Sequence, residues 1–273
     1  MKKVALTILS LILCSATVVY SAEITPQSLD RLMALSGLNK QVAEFPTMVR
    51  AGAEQARNQG RVINDAEFDK IIKSIESAFQ PEEMLGNISS EIKSRLSEAD
   101  AEYLLSWYTS DLGKKITKAE EDASTPEALN KIMTEAESLL ADQKRVELAQ
   151  KIDEVTGSTD MLMQIQNETA LTVFTAVFKA ENPDKPVPVE EFKAQMAPQK
   201  EWNRENTKQF LTVVTVYTYK DIDIDSLTKY IEFNEHPVML KMHDGVKKGL
   251  KAAFGKAGEK MAASIVAMVK EQK

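Results

Sequence analysis

Two histidines, a run of carboxylates and a lysine-rich tail are the groups whose types and spacing could do chemistry in this chain. His236 and His243 stand further apart than the i, i+4 spacing that puts two imidazoles on one helical face for a metal. Neither has a serine or cysteine nucleophile beside it in a recognisable motif. Asp221, Asp223, Asp225 and Glu232 mimic the first, third, fifth and twelfth positions of a calcium loop. The sixth position, where such a loop turns on glycine, is Ser226, so capping of a helix by Asp223 or Asp225 is the favoured reading. No phosphate-cradling glycine loop, nucleophile elbow or zincin motif occurs. Acidic pairs are plentiful enough for a carboxylate-based hydrolase, but nothing singles out one pair. No catalytic residue, cofactor or metal ligand is therefore assigned. Lys247, Lys248, Lys251, Lys256 and Lys260 flank an Ala/Met/Phe stripe. A membrane-surface helix has this pattern, and so does a surface helix packed on its own domain, which is preferred.

The elements that position these groups follow an internal repeat. Leu96–Ile116 and Ile222–Met242 match without a gap at an offset of 126, which sets Leu104 on Tyr230, Trp107 on Phe233 and Lys115 on Lys241. Each copy reads as helix, tight corner, helix. Upstream, Leu32, Leu35 and Ser36-Gly37 are echoed by Ile152, Val155 and Thr156-Gly157 at an offset of 120. The second copy has thus gained six residues, for which the proline-rich stretch Glu181–Pro188 is the natural place.

Helical signals run through both copies. Thr25-Pro26 is a cap followed by a first-turn proline, and Leu29, Leu32 and Leu35 keep helical spacing. Pro46 is expected to bend or restart the helix carrying Val42 and Phe45. Asn58–Val62 reads as a loop, and Asn64-Asp65 as the cap of a helix with Phe68, Ile71, Ile72, Ile75 and Phe79 on one face. Phe210–Tyr219 is β-branched and aromatic, yet it lies opposite the helix Met84–Arg95 and is read as helix. The tail from Gly245 is expected as one or two helices with Leu250, Phe254, Met261, Ile265 and Met268 on a common side.

At 273 residues the chain can bury a substantial core, and its 27% charged residues and 43% apolar residues are ordinary for a globular protein. Met1-Lys2-Lys3, the apolar run Val4–Leu13 and the small residues after it have the layout of a secretory signal peptide, cleaved after Ser21 or Ala22. Cys14 is the only cysteine, and Leu13 stands where a lipidation signal needs a small residue. Cleavage removes two lysines and moves the net charge from −7 to −9, with no cysteine left for disulfide or thiol chemistry. The acidic balance argues against nucleic acid as a partner.

Trp107-Tyr108-Thr109-Ser110-Asp111-Leu112-Gly113-Lys114-Lys115, together with the leucine-rich turn Leu32–Gly37, resembles a bacterial secreted family known only as domain of unknown function 2059. The resemblance spans 25–120 more closely than 145–255. Asp111 departs from the proline the family usually has there, and the second copy has Pro237 but lacks the serine and glycine. It implies an all-α periplasmic protein and brings no catalytic residues. Within the motif, Trp107 and its counterpart Phe233 read as core anchors, Ser110 as a cap, and Gly113 as a site of close approach or the corner itself. Lys114 reads as a solvated cation.

The expectation is an all-α chain of two tandem, diverged multi-helix modules: signal peptide 1–21, first module 22–142, second module 143–273. Functionally it is expected to be a monomeric, periplasmic or secreted, non-enzymatic binding protein whose partner is a protein or an apolar ligand held between the modules. A carboxylate-dependent envelope hydrolase and a peripheral membrane factor using the basic tail are the alternatives.

Overall fold

A computed structural model describes residues 22–58 and 65–271. The expected signal peptide, Cys14, most of the loop after Asn58 and the Asn64 cap lie outside these residues, as do the side chains of Ile71, Ile265 and Met268. Among the described residues the fold is all helical. Its helices are α1 (Pro26–Leu35), α2 (Leu38–Asn58), α3 (Asp65–Ala78), α4 (Pro81–Lys93), α5 (Glu98–Thr109), α6 (Asp111–Ala123) and α7 (Pro126–Leu140). They continue with α8 (Gln143–Thr156), α9 (Ser158–Glu181), α10 (Val189–Met196), α11 (Lys200–Thr218), α12 (Ile224–Glu235) and α13 (Pro237–Glu271). A 3-10 turn, Ala197–Gln199, joins α10 to α11.

Local capping chemistry sets most boundaries. Thr25, Ser97, Ser110, Thr125 and Asp223 each accept a hydrogen bond from the backbone N–H three residues on. Each satisfies one of the orphan donors of a first turn. At Ser97 the arrangement is a full capping box, with Asp100 returning the bond to the Ser97 N–H. Phe210–Tyr219 is helical, within and just after α11, as its partner in the repeat suggests. Pro46, in contrast, does not interrupt α2. Phe45, Val49 and Ala53 all pack on the core from one face of that helix, and this burial outweighs the single backbone hydrogen bond that proline forgoes. The tail is one 35-residue helix, about 52 Å long at 1.5 Å per residue.

Two pairs of positions matched by the sequence offsets share backbone geometry. Gly37 and Gly157, 120 apart, are both left-handed, at φ 76° and 65°, a conformation that costs glycine little. Ser110 and His236, 126 apart, are the extended corner residues of the α5–α6 and α12–α13 turns, with φ −67° and −66°.

Both halves of the chain contribute to one main core. It unites Leu32, Phe79, Ile88, Ile92 and Leu104 with Phe233, Met242 and Ala257. α13 packs most extensively on α4 and then on α9. Gly245 and Gly249 make the α4 crossing possible, since a Cβ on Gly249 would lie 2.4 Å from the Cα of Ile88. A smaller core gathers Ile116, Ile152, Tyr219, Ile222, Leu227 and Ile231.

Candidate ligand-binding site

The repeated motif builds the contact between the two helical corners. Trp107 on α5 and Phe233 on α12 stack on each other with ring centroids 4.2 Å apart and planes 6° from parallel. Ser110 caps α6: its Oγ accepts from the Gly113 N–H at 3.0 Å and donates to the Trp107 carbonyl at 2.6 Å. Gly113 is confined by its own corner, because a Cβ there would sit 2.0 Å from the Trp107 carbonyl oxygen. Lys114 is exposed. None of these five residues lines the cavity described next.

That cavity lies between the two halves and has two parts that share wall residues. The larger, about 580 Å³, has apolar walls from both sides: Val42, Phe45, Met84 and Ile88 from the first half, Leu162, Ile165, Phe210 and Leu250 from the second. Phe45, Phe79 and Phe254 form an aromatic cluster beside it, with centroids 5.1 to 5.4 Å apart. The smaller part, about 380 Å³, shares Leu38, Gln41, Ser124, Val214, His243 and Val246 with the larger. It ends at Tyr108, Glu120, Tyr219 and Tyr230.

Four helices and the turn after α11 assemble this polar end. Tyr219, just past α11, and Tyr230 on α12 both donate to Oε1 of Glu120 on α6, at 2.7 and 2.6 Å. Tyr108 on α5 turns its hydroxyl to the sulfur of Met239 at 3.9 Å, and His243 comes from α13. Loss of water raises the Glu120 carboxyl above its ordinary value, and the two tyrosine hydroxyls act against that rise. Burial and the neighbouring Glu120 hold the Tyr219 and Tyr230 phenols well above their ordinary value. Burial, aided by Lys247, pushes the His243 imidazole down to about 4, so it is neutral at pH 7. Its Nε2 lies 2.9 Å from Oδ1 of the fully buried Asn234.

The remaining chemical candidates are engaged elsewhere. Asp223 caps α12, accepting from Ser226 N at 2.8 Å and Ser226 Oγ at 2.7 Å, so the calcium-loop pattern is spent on a helix start. His236 stacks on Tyr103 at 4.1 Å. No group of three or more His, Cys, Asp or Glu positioned for a metal occurs among the described residues. Four of the five tail lysines are paired: Lys248 with Asp244 on the same helix, Lys251 with Glu168 and Lys260 with Glu83, while Lys256 bonds Asn87; Lys247 lines the larger part of the cavity. No helix among the described residues is long and apolar enough to cross a membrane. A second, open cavity of about 830 Å³ between α9, α10 and α11 carries mixed charges, including Asp160, Lys193, Glu201 and Arg204.

The sequence reading missed Glu120, Tyr219 and Tyr230. The available signal was Tyr230 itself, which places a hydroxyl where the first copy has Leu104 on the inward face of the same helix.

Residues 82–142 match the model of a family described as an uncharacterized protein conserved in bacteria, domain of unknown function 2059. The match takes in α4 to α7, and so Tyr108 and Glu120 of the polar end, but not the first three helices. No curated protein matches the chain, and no solved structure does.

Proposed function

We propose that this bacterial chain is a non-enzymatic binding protein of the cell envelope, acting as a monomer, that takes an apolar small molecule into the chamber between its halves. The observation carrying this reading is the chamber: about 580 Å³ with largely apolar walls, sharing wall residues with a second part of about 380 Å³ that carries a few convergent polar groups. Size and lining both fit the usual character of small-molecule sites. An envelope location rests on the signal-like residues 1–21. Against catalysis, Glu120 is the only acid among the described residues lining the chamber, whereas a two-carboxylate hydrolase needs a pair. The lysine partners on α13 leave the membrane-docking alternative without a specific observation in its favour.

The test is titration with the apolar fluorescent probe N-phenyl-1-naphthylamine. Saturable, single-site uptake is expected, lost in Val214→Trp, which fills the wall shared by both parts, and kept in Lys114→Ala. Equal, non-saturating fluorescence from the wild type and Val214→Trp would count against the reading.

A further inference from the structure

Glu120 is a half-buried carboxylate with no cation paired to it among the described residues. Both tyrosine hydroxyls go to one oxygen, Oε1, while Oε2 accepts no hydrogen bond from a described residue. No salt bridge reaches Glu120 among the described residues, although Lys40 pairs with its neighbour Glu121 and Lys118 with Asp122 on the same helix. The other titratable groups facing it are Tyr108, Tyr219, Tyr230 and Glu121, none of them cationic; His243 at the shared wall is neutral at pH 7, and Lys247 lines the larger part of the chamber beside His243. A carboxylate partly withdrawn from water without a cation carries a desolvation cost, and the fold keeps two hydroxyl donors on it rather than an apolar side chain. It lines the chamber, and Tyr219 and Tyr230 beside it pack on each other with ring centroids 5.5 Å apart.

We infer that the chamber selects ligands with an apolar body and a single protonated amine, the amine paired with Glu120 at the polar end and the body lying along the apolar walls. This rests on the binding role proposed above and names the class of ligand. The ammonium supplies the absent charge and its N–H donors meet the unused Oε2. An anionic head of the same length is repelled at the same point.

The experiment is competition of decylamine, decanol and decanoate against N-phenyl-1-naphthylamine on the full chain at pH 7. Decylamine is expected to bind at least about tenfold more tightly than decanol, the discrimination of roughly one desolvated charge pair, with decanoate weakest. In Glu120→Gln, whose amide oxygen can still accept from both tyrosines, the preference for the amine is expected to vanish while decanol binding persists. Lys114→Ala, exposed and outside the chamber, is the second variant, expected to leave the preference intact. Equal binding of amine and alcohol by the wild type, or an amine preference that survives in Glu120→Gln, overturns the inference while leaving the chamber reading in place. Failure of all three ligands and of the probe to bind overturns both.

Discussion

Alanine at Gly249 would insert one methyl group where α13 crosses α4. The added Cβ would lie 2.4 Å from Ile88 Cα, 2.9 Å from Ile88 N and 3.1 Å from Asn87 O. Carbon atoms in contact settle at about 3.5–4.0 Å, so the helices would have to separate by roughly 1 Å. All three atoms are backbone, and no rotamer change can relieve the clash. Overpacking of this kind costs about 1–3 kcal/mol or more, against a gain of about 1 kcal/mol in helix propensity. Gly255 on the same helix is the matched control, because a Cβ there would meet nothing within 4 Å. Gly255→Ala should therefore stabilise by up to about 1 kcal/mol, from helix propensity alone. Urea unfolding followed by circular dichroism should move the midpoint down for Gly249→Ala and up for Gly255→Ala, with unchanged m-values. Midpoints moving together in the same direction would refute the close crossing, and with it the common core of the two halves.

Three further outcomes follow from the same geometry. His243 has a folded value near 4 against an ordinary 6.5, so protonation favours the unfolded chain. Stability should fall as pH drops from about 6.5 to 4 by about 3 kcal/mol from this group alone, read as the difference between wild type and His243→Gln in urea midpoints. Glu120 runs the opposite way: its raised folded value contributes stability at low pH that is lost as pH rises through that value, so Glu120→Gln should remove this descent from the stability profile. Ser110→Ala should cost about 1 kcal/mol by stripping the α6 cap, while the exposed Lys114→Ala stays within about 0.5 kcal/mol, both measured by urea midpoint.

What was legible in the sequence was what is local or periodic. Ser97, Ser110 and Asp223 announce helix starts because each bonds an amide only three residues away. The offset of 126 brought Trp107 and Phe233 into correspondence, but that they stack on each other is a tertiary fact. Pro46 does not restart the helix, because its local cost is fixed, while the burial offsetting it depends on partners elsewhere in the chain. The polar end of the chamber was hidden for the same reason. Glu120 is 99 residues from Tyr219 and 110 from Tyr230. In sequence Glu120 is one of two adjacent glutamates, of which Glu121 turns out to pair with Lys40. Only the packing of α6 against α11 and α12 separates the two.

The measurement that tests the central claim most directly is native mass spectrometry of the chain purified without detergent from its native host, beside Val214→Trp prepared in the same way. A small-molecule adduct on the wild type that leaves on denaturation and is absent from Val214→Trp is the predicted result. The same bare mass for both, or the same adduct on both, would contradict a ligand chamber between the halves.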